Sequence, residues 1–89
     1  MIKYYKKNGK MELSMTEDTA KEVEIAIHAF KAGQKAANGK VYRPALAKYI
    51  VDRFLNEESS KEALASFSKW ENLAEFLSTV ENEVKKINE

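Results

Sequence analysis

The stretch Ile2-Lys3-Tyr4-Tyr5-Lys6-Lys7-Asn8-Gly9-Lys10-Met11-Glu12-Leu13-Ser14-Met15 sets the reading of the whole chain. At its centre stands Asn8-Gly9, the pair that two-residue type I′ turns prefer. Both central residues of such a turn need positive φ, which glycine and asparagine accept at least cost. A β-hairpin over residues 1–15 follows, with Lys7 opposite Lys10, Lys6 opposite Met11, Tyr5 opposite Glu12, Tyr4 opposite Leu13, Lys3 opposite Ser14 and Ile2 opposite Met15. Alternation with period two puts Ile2, Tyr4, Met11, Leu13 and Met15 on one face, and Lys3, Tyr5, Lys7, Lys10, Glu12 and Ser14 on the other. Two strands are not stable alone, so the apolar face needs a cover.

Helical patterns supply that cover. Thr16 is a natural N-cap with Glu17 and Asp18 in the first turn, where negative charge suits the helix dipole. Ala20, Val23, Ile27 and Phe30 then form one stripe at helical spacing, with Ala26 beside it. Ile25 and Ala29 fall outside the stripe and suggest that a second side is also covered. Gly33 offers one C-terminal stop and Asn38-Gly39 a later one, and the later stop gives a helix over 16–38. Pro44, the only proline, opens a second helix over 44–55 whose stripe is Leu46, Ile50 and Phe54, widened by Ala47, Tyr49 and Val51. Ser59 and Glu62 have the spacing of a capping box, which starts a third helix over 59–88. Its seam runs Leu64, Phe67, Trp70, Leu73, Leu77, Val80, Val84 and Ile87. Ser68 and Glu71 repeat the box spacing, so a split near Ser68 is the alternative.

The expected fold is therefore α+β, mostly α: an N-terminal β-hairpin followed by three helices in one domain over 1–89. Its expected core contains Leu13, Met15, Val23, Ile27, Phe30, Leu46, Ile50, Phe54, Leu64, Phe67, Leu73, Leu77 and Val80. Eighty-nine residues suit one small domain, in which burial is limited enough that self-association is a natural source of extra core.

With no Cys, disulfides and thiolate metal sites are excluded, and His28 alone supplies no zinc set. No phosphate loop, nucleophile set or metal spacing appears, so neither catalysis nor a cofactor is expected. No segment reaches the ~20 apolar residues of a membrane span and the N-terminus lacks an apolar signal region, which points to the cytoplasm. Formal charge is +1, yet it is unevenly spread. Residues 1–55 hold eleven Lys and Arg against six Asp and Glu, a balance of +5, whereas residues 56–89 hold four against eight, a balance of −4. Such asymmetry points to an anionic partner for the basic half. Lysines at Lys3, Lys6, Lys7 and Lys10 also serve, more simply, to keep a sheet edge soluble and unpaired.

From Lys10 onward the order strand, helix, loop, helix resembles the ribbon-helix-helix family of DNA-binding proteins. Lys10-Met11-Glu12-Leu13-Ser14-Met15-Thr16-Glu17 is similar to the family's alternating strand running into a capped helix, and the stretch from Val41 to Leu55 is similar to its second helix. The resemblance implies a homodimer whose paired strands enter the major groove of double-stranded DNA. Lys10, Glu12 and Ser14 would then face base edges, with Glu12 accepting from a cytosine amino group. Tyr42 and Arg43 at the start of the second helix would sit on a phosphate. Lys3, Lys7 and Lys48 complete the basic set. This reading makes the protein a small dimeric DNA-binding regulator. The alternative is a small protein-binding module, a phage- or plasmid-type inhibitor, antitoxin-like or accessory protein, that meets a host protein through Trp70 and Phe76 of the amphipathic C-terminal helix or through the hairpin.

Overall fold

The computed structural model describes residues 1–89 and has the element order β1 (Lys3–Lys7), β2 (Lys10–Ser14), α1 (Glu17–Asn38), α2 (Arg43–Phe54), α3 (Glu57–Ser66) and α4 (Trp70–Ile87). The hairpin has the expected register from Lys3 opposite Ser14 to Lys7 opposite Lys10. Its turn has φ 51° at Asn8 and 80° at Gly9, as a type I′ turn requires. Ile2 departs from the expectation. Instead of pairing with Met15 it bridges Leu55 in parallel and donates its N–H to the Phe54 carbonyl at 2.8 Å, tying the start of the hairpin to the end of α2.

The caps of α1 are those its sequence implies. Thr16 Oγ1 accepts the Thr19 N–H at 3.2 Å, and Gly39 closes the helix in the left-handed region with its N–H on the Lys35 carbonyl. Ile25 is 71 % exposed, so no second side of α1 is covered within the chain. Helix α2 begins at Arg43, one residue ahead of Pro44, and buries Leu46, Ala47, Ile50, Val51 and Phe54.

Four helices, not three, follow the hairpin, because the long C-terminal seam breaks at Phe67–Lys69. The break changes both expected caps. Asn56, not Ser59, caps α3, with its Oδ1 accepting the Ser59 N–H at 2.8 Å. At the start of α4 no Ser68 box forms; Lys69 stands at the cap without a side-chain bond, and Asn72 Nδ2 holds the turn by donating to the Ser66 carbonyl. The new start also resets the helical phase. The buried stripe of α4 is Leu73, Phe76, Leu77, Val80 and Val84, while Leu64 and Trp70, seam positions of an unbroken helix, are 49 % and 56 % exposed.

One core joins all elements through Ile2, Tyr4, Leu13, Val23, Leu46, Ile50, Phe54, Ala63, Leu73, Phe76 and Val80, with Met15, Phe30 and Phe67 half-buried at its margin. Phe30 stacks on Tyr49 at 4.8 Å between ring centroids, closing α1 on α2. Lys31 pairs with Glu81 at 3.0 Å between α1 and α4. The hairpin lies with its apolar face on α4, through Tyr4 on Phe76, and with β1 against α3. No helix is long and apolar enough to cross a membrane.

Candidate nucleic-acid interface

The polar face of the hairpin carries Lys3, Tyr5, Lys7, Lys10 and Glu12 exposed, with Ser14 half-buried. Lys6 is exposed as well, although its side chain belongs to the other face, because the sheet overhangs its cover at the turn end. Its ammonium adds to the basic charge at the tip, a contribution that alternation alone assigns to the covered side. None of the four ion pairs of the chain uses a hairpin lysine. Glu12 lies opposite Tyr5, and its diagonal neighbours on the same face are Lys3 and Lys7, so one carboxylate sits within a frame of ammonium groups.

The second part of the expected basic set lies elsewhere. Tyr42 (62 % exposed) and Arg43 open α2, where Arg43 borders a surface hollow with Lys31, Ala74, Ser78 and Glu81. The tip of the hairpin, through Lys10 and Met11, borders a different hollow with Asn72, Glu75, Phe76 and Thr79. At 100° per residue, positions 72, 75, 76 and 79 point to one side of α4 and positions 74, 77, 78 and 81 to the other. Helix α4 therefore stands between the hairpin tip, with Lys10, and the start of α2. Lys48 is held by Asp52 at 3.6 Å along its own helix.

Of the two residues expected to meet a protein partner, Trp70 is exposed and Phe76 is not. Phe76 is 1 % exposed and packs edge-on against Tyr4 at 5.3 Å and Phe67 at 5.0 Å between centroids. Its place three residues after Leu73 and four before Val80 becomes a core position once the helix starts at Trp70.

Ser59 is the residue that sequence reasoning misplaced. Instead of capping α3 it points from the first turn of that helix to β1, where its Oγ accepts the Tyr4 N–H at 3.2 Å and donates to the Tyr4 carbonyl at 3.3 Å. Burial raises the pKa of the Tyr4 phenol; the Ser66 hydroxyl works against this, and the carboxylates of Glu75 and Glu62 add to the rise. A groove between α1 and α4 is lined by opposed charges, Glu24 and Glu81 against Lys31 and Lys85, with His28 beside them. The chain has no cluster of three His, Asp or Glu side chains that could hold a metal ion.

No family model, no curated protein and no solved structure matches the chain.

Proposed function

We propose that the protein binds double-stranded DNA through the lysine face of its hairpin and acts as a homodimer. The observation that carries this reading is the set of three lysines on that face, Lys3, Lys7 and Lys10, with Lys6 beside them at the turn, all exposed and none in an ion pair, on a two-stranded element narrow enough for a major groove. The acidic α3 and α4 lie behind the hairpin and orient it, since phosphates repel that side. Arg43, beyond α4, takes no part in the same contact.

Titration of a duplex at several salt concentrations tests the proposal. Affinity falls steeply with salt, and replacing Lys3, Lys7 and Lys10 together by Ala, six lysines in the dimer, lowers the slope of log K against log salt by about 5, near 0.9 per lost phosphate contact. Arg43→Ala leaves both affinity and slope unchanged. No binding to any duplex at low salt, or equal loss from Arg43→Ala, overturns the reading.

A further inference from the structure

We infer that two copies of the chain pack through the outer face of α1, antiparallel about a two-fold axis at Ala29, with Ile25 of each seated among Ala29, Ala32, Gly33 and Ala36 of the other. The inference rests on the homodimer of the proposed function but not on its DNA contact, and it involves neither strand. At 100° per residue these five positions share one side of α1, opposite the buried Ala20, Val23 and Ile27. All five are exposed, and no charged residue lies on that side between Ile25 and Ala36, whereas the outer face of a surface helix is ordinarily charged. Ile25, at 71 %, is the most exposed of the large apolar side chains, and Ile87 at the end of α4 borders the same hollow. Gly33 is an independent observation. A glycine within a helix weakens it relative to alanine, and nothing in the fold asks for one here: its φ is not positive, and an added Cβ meets nothing within 4 Å. The position is open to a side chain from outside the chain.

A second copy of α1 is the occupant that this face selects. Positions i, i+3, i+4 and i+7 of a helix frame a hole for one side chain of a facing helix, and Ala29, Ala32, Gly33 and Ala36 form such a hole with small walls only. Ile25 and the hole lie on one face, about 11 Å apart along the axis, so a two-fold axis between them seats both isoleucines at once. A parallel pair instead sets Ile25 against Ile25 and leaves both holes empty. Charge makes the same choice. Residues 17–27 hold four carboxylates and one lysine, and residues 28–38 hold two lysines and no carboxylate, so antiparallel helices bring acidic half against basic half and oppose their dipoles. Small walls also let the helix axes approach to about 8 Å, the short end of the packing range. The second covered side that the positions of Ile25 and Ala29 suggest is in this way supplied by another copy.

Sedimentation equilibrium in the absence of DNA tests the contact, with circular dichroism to verify each fold. Ile25→Ser and Gly33→Leu each alter two equivalent contacts and raise the dimer dissociation constant about tenfold per contact, about 100-fold in all. Gly33→Leu separates the contact from the fold, because leucine at this exposed helical position keeps or raises the helicity of the single chain while it fills the hole. The chain has no cysteine, so single cysteines report the orientation without background. Ala29→Cys, on the axis, forms a disulfide-linked dimer under mild oxidation, and Glu22→Cys, about 20 Å from its copy, does not. A native chain that sediments as a monomer at every concentration, a dimer that either substitution leaves at native affinity, or oxidation that links Glu22→Cys as readily as Ala29→Cys overturns the inference. A dimer that behaves as stated yet ignores every duplex upholds the inference and overturns the DNA reading. A monomer that binds duplex overturns the inference and leaves the lysine face standing.

Discussion

The Ser59 hydroxyl stands against the outer edge of β1 where a third strand would otherwise lie, taking both the N–H and the C=O of Tyr4. One side chain thereby closes a sheet edge and fixes the angle between α3 and the hairpin. Neither backbone group has another partner outside the hairpin ladder, and the site is buried. Ser59→Ala therefore leaves a buried donor and acceptor unpaired at a cost of about 1–3 kcal/mol. Urea unfolding followed by circular dichroism measures it, and a cost within error of zero means that water replaces the hydroxyl.

The turn has its own test. A Cβ added at Gly9 meets nothing within 4 Å, so a substitution there acts through φ alone. Gly9→Val lowers stability by about 1 kcal/mol or more, because a β-branched residue resists positive φ. The same measurement on Gly9→Asn, a residue that accepts this region, shows the smaller loss.

Phe76 and Trp70 exchange the roles that their types suggest. Phe76→Ala opens a cavity against Tyr4 and Phe67 and costs about 3–5 kcal/mol, enough to unfold much of a domain this small. Trp70→Ala, at a position more than half exposed, stays within about 0.5 kcal/mol of the native protein. Thermal melts of the two variants side by side reveal an inverted assignment at once.

Tyr4 couples the fold to alkaline pH. Its pKa is raised in the folded protein, so the native state holds the phenol proton more tightly than the unfolded chain does. The corresponding stability is fully present below the unfolded value of about 10 and is lost as pH rises through the folded value. Tyr4→Phe removes this part of the pH dependence. Unfolding free energies of both proteins between pH 8 and 11, taken at matched ionic strength, show the native protein losing stability relative to Tyr4→Phe as pH rises, and stay parallel if the phenol does not ionise on unfolding.

Local chemistry was legible in the sequence wherever neighbours along the chain decide it. Asn8-Gly9 determines the turn and with it the hairpin register; Thr16 and Gly39 bracket α1; the Leu46, Ile50, Phe54 stripe sets the buried side of α2. The basic hairpin face was equally legible, since alternation in a strand assigns each side chain to a face. What the tertiary structure alone decided concerns residues whose role depends on a distant surface. Ser59 carries the same cap-forming hydroxyl whether it closes its own helix or a strand 55 residues away, and the choice falls to β1 because its edge offers two unpaired backbone groups. Trp70 belongs to the apolar seam and Phe76 lies beside it, and the break at Phe67–Lys69 turns Phe76 into the core and Trp70 out. The separation of Arg43 from the hairpin lysines follows from the same cause: charge along a sequence says how much basic surface exists, whereas helix packing decides which basic residues share a side.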